Sequence, residues 1–251
     1  MKTRLKINPS YSALGDWLTQ LPDDFGRGVL IYRGRNELRR FTAPDGTDLV
    51  VKRFGSLPLL RRVIYSTVVR SKARRSFDFG RRYLELGFAT PEPVACIEIY
   101  SRGILADAYF VSLYSDAEPL FGPLVKAERF DSALADDVAQ LMIDLHAKGV
   151  IHGDPNLKNI LYRHNEEGTT ELLLIDTNRT SFKGGVGKRK ALKNLMRVSH
   201  RRDLMRQIAG RYATLRKLDP IKTVDRVFVR LDRFERNRSF RHRLKHIFGI
   251  N

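Results

Sequence analysis

The apolar positions of this chain change period along its length. From Gly28 to Phe54 they come in short runs broken by turn signals. Gly28–Arg33 and Glu37–Phe41 read as two strands joined at Gly34-Arg35-Asn36, a tight hairpin signal. Pro44-Asp45-Gly46 turns the chain into a third strand, Thr47–Phe54. Ahead of them, residues 9–20 pattern as a short amphipathic helix carrying Trp17 and Leu18. From Ser56 the spacing becomes helical. Ser56–Val69 is an apolar helix with interspersed arginines, fit for a core or for a membrane surface. Lys72–Leu86 is a second helix, with Ala73, Phe77, Gly80 and Leu84 on one side and Gly87 as its cap.

Val94–Tyr100 and Ile104–Tyr114 form a further strand pair around Ser101-Arg102-Gly103. Ser115–Pro123 follows as a hinge-like stretch. Beyond it the pattern is mainly helical. Leu134, Val138, Leu141, Met142 and Leu145 recur at helical spacing over Ser132–Lys148, and Gly149 stops that helix. His146, at its end, reads as a structural histidine packed under the next loop. Lys190–Arg197, Arg201–Leu215 and Ile221–Phe248 complete the helices. In the last of these Val224, Val227, Phe228, Leu231 and Phe234 face inward, while Arg226, Arg230, Arg233, Arg236 and Arg238 ring the other side.

One stretch breaks both periods. Ile151–Asn159 is followed by a short apolar run, Ile160–Tyr162, a polar turn, and a second apolar run that ends at Asp176. The unit is strand, turn, strand, with a carboxylate at each end and an amide beside the first. The spacing of Asp154 and Asn159, with Asp176 closing a buried strand, fits phosphoryl transfer. One Asp orients and deprotonates an attacking hydroxyl, while the Asn and the second Asp hold Mg²⁺ against the ATP phosphates. Lys52, on the third strand, suits the same chemistry. A lysine on a buried strand needs a partner or a route to water, and in a kinase it grips the α/β-phosphates.

Charge adds a partner class. The 251 residues carry a formal net charge of +18, and Lys183–Asn251 holds 21 Lys/Arg against 5 Asp/Glu, so +16 belongs to the C-terminal quarter. Such asymmetry points to a polyanionic partner, whether nucleic acid, an anionic membrane surface or a glycolipid, with a solvated basic face that has no partner as the alternative. A hydrophobic content of 42% argues against disorder. The single cysteine, Cys96, excludes an intramolecular disulfide framework and suits a reducing cytoplasm. No apolar h-region follows Met1, so no signal peptide is expected, and no run reaches the length of a membrane span.

The segments IYRGRNELRRF, DLVVKRF, RSKARRSF, GFATPEPVA, IHGDPNLKNIL, LLLIDTNR and RRDLMRQIA, spread over about Gly28 to Tyr212, resemble the lipopolysaccharide core kinases. This family of Kdo and heptose kinases belongs to the wider protein-kinase-like superfamily, which also holds the RIO and aminoglycoside kinases. The resemblance implies an α+β, two-lobed protein-kinase-like fold. Residues 1–114 would form a small antiparallel-sheet N-lobe. Residues 115–251 would form a mainly helical C-lobe, with the catalytic loop at 151–161 and a reduced C-terminal part. It implies ATP and Mg²⁺ as cofactors, Lys52 on the phosphates, Asp154 as the catalytic base, and Asn159 and Asp176 as metal ligands. Val50 would roof the adenine and Leu161 floor it. Asp203 would bond the catalytic-loop backbone, and Lys158 would neutralise the transferring phosphoryl or stay solvated.

Three departures from the pattern matter. No GxGxxG lies between the first two strands; Gly34 alone sits at the turn, so phosphate cover would come from backbone amides of a short hairpin. The helix that normally offers a glutamate to the strand lysine has Ser76 there, with Asp78 and Glu85 nearby, and Asp78 is the favoured partner of Lys52. The loop reads HGD rather than HRD, which implies an enzyme not switched by activation-loop phosphorylation. The expected reaction is transfer of the ATP γ-phosphoryl to a Kdo or heptose hydroxyl on a lipid A-linked acceptor. The enzyme would be cytoplasmic, peripheral on the inner face of the inner membrane, with its basic C-terminal helices on an anionic surface. A protein kinase ranks lower, because no Ala-Pro-Glu follows Asp176. A RIO-like, RNA-associated kinase or a nucleic-acid-binding pseudokinase would share the charge, and nucleic acid ranks below the glycolipid.

Overall fold

The structure, a computed structural model, describes residues 1–55, 64–65, 69–165 and 168–247, with side chains as far as Phe240. The helix expected over Ser56–Val69 lies outside the described residues except at Ile64, Tyr65 and Val69. The chain divides into two compact units. One is Met1–Ala117 with Leu173–Arg179, the other Glu118–Leu172 with Thr180–Asn251.

The first unit is a six-stranded sheet. Its strands are β1 (Lys2–Ile7), β2 (Val29–Arg33), β3 (Asn36–Thr42), β4 (Asp48–Phe54), β5 (Pro93–Ser101) and β6 (Ile104–Leu113), in the order β1-β5-β6-β4-β3-β2. The five pairings of neighbours in this order are all antiparallel. Alternation along β4 sorts its residues to two faces. Leu49 and Val51 join Ile97, Tyr109 and Val111 under a cap of Leu14, Leu18, Leu21 and Phe25 from the N-terminal segment. That segment is a 3₁₀ stretch, Pro9–Leu14, running into α1 (Gly15–Gln20), then a 3₁₀ turn, Phe25–Arg27. On the other face, Phe54, Cys96, Tyr100 and Ala108 pack with Ala73 and Phe77 of α2 (Lys72–Glu85). Fully burying such a side chain contributes about 1.5–3 kcal/mol. Ser71 caps α2 by accepting from the Arg74 amide at 3.0 Å.

Strand β1 is an addition to the expected order. Its sequence alternates Lys2, Arg4 and Lys6 with Thr3, Leu5 and Ile7, and among the described residues it pairs with β5 alone, with Lys6 opposite Cys96 and Ile7 opposite Ala95. Leu5 and Ile7 lie against the capped core, and Lys6 is carried to the α2 face.

The second unit holds β7 (Glu118–Pro119), α3 (Ser132–Ala147), β8 (Val150–Ile151), β9 (Ile160–His164), β10 (Thr170–Leu174), β11 (Ser181–Phe182), α4 (Lys188–Leu195), α5 (Arg202–Leu215) and α6 (Pro220–Ile247). The last two residues of β10 belong to the first unit. β9 lies between β10 and β7, and β8 pairs with β11. Leu134, Val138, Leu141, Met142 and Leu145 of α3 are all buried, and α3 packs on α5, which packs on α6. Asp131 caps α3 by accepting from the amides of Ala133 and Leu134, at 2.8 and 3.1 Å. Gly149 ends it at φ 74°, and its carbonyl accepts from the Lys183 amide at 2.8 Å. On α6, Val227 and Leu231 are fully buried, while Arg226, Arg233, Arg236 and Arg238 are exposed. Among the described residues no helix is long and apolar enough to cross a membrane.

Candidate active site

Lys52 extends from β4 on the sheet face opposite Leu49 and Val51, the face it shares with half-buried Val50. Its ammonium donates to Oδ1 of Asp176 at 2.8 Å and lies 5.3 Å from the centre of the Phe54 ring. Both residues belong to the first unit because the chain after β10 is tied there. The Leu174 amide donates to the Ala89 carbonyl at 2.9 Å, and the Thr90 hydroxyl to the Leu174 carbonyl at 2.6 Å. Asp176 itself sits at φ 55°, a left-handed conformation that costs most side chains energy and that Asp tolerates better than most. The side-chain amide of Asn178 donates to the same Oδ1 at 2.6 Å.

Asp78, the favoured partner for Lys52, is committed elsewhere. Its carboxylate takes Lys6 at 2.6 Å, Arg70 at 3.0 Å and Arg74 at 3.3 Å. Burial works to raise its pKa, but the hydrogen bond and charge of Lys6, with Arg74, outweigh it and hold the carboxyl below its usual range. The expectation fails because Lys6 comes from β1, a strand the local sequence does not announce.

The hairpin between β2 and β3 is pinned by a close backbone approach. A Cβ added at Gly55 would stand 1.8 Å from the Arg35 carbonyl oxygen. Gly34 is exposed at the turn, where its amide donates to the Asn36 carbonyl at 3.0 Å. β2 lies at the sheet edge and exposes Val29, Leu30, Ile31 and Tyr32.

In the second unit the loop after β8 is built around Asp154. His152 is fully buried, and its Nδ1 accepts from the Asp154 amide at 3.2 Å. The Asn156 side-chain amide donates to Oδ1 of Asp154 at 2.9 Å. Asn159 donates through Nδ2 to the Asp154 carbonyl at 3.0 Å, which leaves Oδ1 as the atom it can offer to a cation. Leu157, 1% exposed, plugs the loop into the core, and its amide donates to the Val198 carbonyl at 3.3 Å. Leu161, on β9 opposite Pro119, is buried. Lys158 is exposed, with its ammonium 4.4 Å from the centre of the Phe121 ring.

Asp203 does not bond the backbone of the Asp154 loop, as the resemblance implied it would. Its carboxylate accepts from Arg201 Nε at 3.0 Å and from the Leu204 amide at 2.9 Å. Arg201, so braced, donates to the carbonyls of Ala127 and Glu128 at 2.5 and 2.7 Å. The loop backbone is held instead by Asn194 of α4, whose Nδ2 donates to the His152 carbonyl at 2.7 Å. His146 is 2% exposed between Tyr212 and Asn194, a structural position, and burial pushes its pKa down to about 4.

The carboxylate and amide oxygens of Asp176 and Asn159 are hard donors suited to Mg²⁺. Among the described residues there is no cluster of three or more His, Cys, Asp or Glu side chains able to hold a metal. An ion held by one or two protein oxygens together with nucleotide phosphates requires none. Sequence reasoning missed Asn156, Asn178 and Asn194. The first two had a signal, since each stands two residues after a site carboxylate, in Asp154-Pro155-Asn156 and Asp176-Thr177-Asn178.

The model of the lipopolysaccharide kinase (Kdo/WaaP) family matches residues 58–214. The chain belongs to this family. It is therefore a member of a family of kinases, enzymes that transfer a phosphoryl group. The match includes Asp154, Asn159, Leu161 and Asp176 and begins after Gly34, Val50 and Lys52. Among solved structures, this lipopolysaccharide kinase is similar to WaaP in complex with acyl carrier protein. Identity is 21% over 93% of this chain and 97% of that one, with a TM-score of 0.61, so the two share a protein-kinase-like fold. The Rio2 kinase from Chaetomium thermophilum, in its ADP/Mg²⁺-phosphoaspartate complex, matches at 17% identity. That match covers 89% of this chain and 77% of that one, with a TM-score of 0.47. No curated protein sequence matches this kinase.

Proposed function

We propose that this kinase transfers the γ-phosphoryl of ATP to a hydroxyl of Kdo or heptose in the lipid A-linked core of lipopolysaccharide. The observation that carries the reading is the Lys52–Asp176 contact at 2.8 Å between residues 124 apart in sequence. It brings a strand cation and a strained carboxylate together, as binding a charged, metal-linked phosphate chain requires. Lys52 grips the α/β-phosphates, Val50 and Leu161 contact the adenine, and the backbone at Gly34 covers the phosphates. Asp176 and Asn159 hold Mg²⁺, which when bound offsets the phosphate charge. Asp154, steadied by Asn156, orients the acceptor hydroxyl and takes its proton.

The basic C-terminal quarter supports an anionic glycolipid acceptor at the inner face of the inner membrane. Each Lys or Arg near such a surface contributes about 1 kcal/mol. The similar WaaP structure contains acyl carrier protein, and we extend that partnership to this kinase as part of the proposal. The test is ADP release with Mg-ATP, with and without a Kdo-bearing lipid A acceptor, in the native protein and in Asp154→Asn. Acceptor-dependent turnover that the variant loses is expected. Turnover stimulated only by protein or RNA would overturn the acceptor class.

A further inference from the structure

Inside the helical unit, a chain of hydrogen bonds runs from the exposed guanidinium of Arg216 to the backbone of Asp154. Arg216 Nη1 donates to the Tyr212 hydroxyl oxygen at 2.7 Å. That hydroxyl lies 2.8 Å from Nδ1 of His146, and Nε2 of His146 lies 3.2 Å from Oδ1 of Asn194. Asn194 Nδ2 donates to the His152 carbonyl at 2.7 Å, and the Asp154 amide donates to Nδ1 of the same His152 at 3.2 Å. Tyr212, His146, Asn194 and His152 are each at most 4% exposed. The three inner links, from the Tyr212 hydroxyl through His146 and Asn194 to the His152 carbonyl, join groups that water cannot reach, so breaking one leaves a buried polar atom unpaired.

Both ends force one direction on the chain. The His152 carbonyl only accepts, so the Asn194 NH₂ faces it and Oδ1 is turned to His146. Nε2 of His146 must then carry the proton, and in a neutral ring Nδ1 is an acceptor. The Tyr212 hydroxyl therefore donates to Nδ1. At the other end a guanidinium only donates, so the Tyr212 oxygen accepts from Arg216. From Arg216 to the His152 carbonyl every donor points toward the loop, where the Asp154 amide donates back to His152 Nδ1. A second proton on His146 would set an N–H against the Tyr212 O–H and break the sequence. The depressed pKa of this ring agrees, with burial and the Arg216 charge acting against the Asn194 hydrogen bond.

We propose that this chain is a positioning device for phosphoryl transfer. Tyr212 and neutral, Nε2-protonated His146 orient the Asn194 amide, and Asn194 fixes the His152 peptide that carries the backbone of Asp154. The inference rests on the reading of Asp154 as the group that orients the acceptor hydroxyl. It adds Asn194, His146 and Tyr212 as residues that touch neither substrate nor cofactor yet set the angle of that carboxylate.

The test uses the full chain and two variants. Asn194→Asp keeps the size and the acceptor for His146 but removes the N–H that faces the His152 carbonyl. Tyr212→Phe keeps the ring and removes only the hydroxyl. Ring ¹⁵N NMR of the native protein should show His146 protonated at Nε2 and bare at Nδ1. In Asn194→Asp the Asp154 amide should exchange faster, and kcat should fall roughly 10- to 100-fold with the KM for ATP unchanged, the scale of a slightly misplaced reacting group. In Tyr212→Phe the His146 tautomers should mix, with a smaller fall in kcat. A native His146 protonated at Nδ1 would overturn the proposal, as would full kcat in Asn194→Asp. So would a lowered Tm in both variants with kcat intact, which marks a merely structural network. If the native protein turns over no acceptor, the Asp154 reading fails, and the NMR and amide-exchange results still decide whether the chain positions the loop.

Discussion

The ammonium of Lys52 donates to the carboxylate of Asp176 at 2.8 Å, although 124 residues separate them, and both side chains are largely buried. Removing either partner leaves the other charge desolvated and removes a proposed phosphate or metal contact. Lys52→Met and Asp176→Asn should each lower ADP release roughly 10²–10³-fold, the range seen when one electrostatic stabiliser of a transition state is lost. Calorimetric ATP titration should show weakened binding in Lys52→Met. Turnover within threefold of native in either variant would remove that residue from the site.

Asp78 offers a contrasting test. Its partners are Lys6, Arg70 and Arg74, so Asp78→Asn should cost about 1 kcal/mol of stability, the scale of a partly solvated ion pair, with the KM for ATP unchanged. Urea denaturation and ADP-release kinetics on the same preparation would check this. A raised KM at native stability would return Asp78 to the nucleotide site.

Gly55→Ala should displace the β2–β3 hairpin tip, because the new methyl carbon would stand 1.8 Å from the Arg35 carbonyl oxygen. Backbone cannot yield as a flexible side chain does, so a cost of about 1–3 kcal/mol is expected, together with a raised KM for ATP. Thermal unfolding and ATP titration measure the two effects separately.

Acid should destabilise the helical unit through His146. Its pKa is about 4 in the folded protein against an ordinary 6.5. The unfolded chain therefore binds the proton first. The stabilising contribution is complete above pH 6.5 and is lost as pH falls toward 4, to a total of about 3 kcal/mol. Denaturation midpoints between pH 7 and pH 4 should fall more steeply in the native protein than in His146→Gln, with Tyr212 and Arg216 unchanged around the ring. Equal slopes would show that another group titrates.

Replacing Arg226, Arg233, Arg236 and Arg238 together with glutamine should weaken sedimentation with phosphatidylserine vesicles by roughly 10²–10³-fold at low salt, at about 1 kcal/mol per charge. The native protein should itself release from the vesicles as salt rises. Unchanged sedimentation of the variant would assign the basic quarter to another partner.

Much of the fold was legible locally. The β2–β3 hairpin announces itself at Gly34-Arg35-Asn36, and the helix of Leu134, Val138 and Leu145 follows directly from spacing. Strand β1 was not legible, because Lys2, Arg4 and Lys6 mask two apolar positions and its pairing partner lies some 90 residues away. That one omission also hid the true partner of Asp78. At the site, Asp154, Asn159 and Asp176 stood out by spacing. Asn156 and Asn178 carried a signal two residues beyond each carboxylate, where a short amide side chain can fold back on its neighbour.

By itself, then, the sequence determined the longer strands and helices apart from β1, the two acidic loops, the concentration of charge in the last quarter, and the likeness to lipopolysaccharide kinases. These are properties of residues near one another in the chain, where periodicity and turn chemistry act. Only the tertiary structure decided that Lys52 meets Asp176, that Asp78 answers Lys6, and that Asn194 rather than Asp203 holds the loop of Asp154. The reason is physical. A charge or amide takes the partner that packing brings within about 3 Å, and segments distant in sequence meet only once the sheet and the helices have formed.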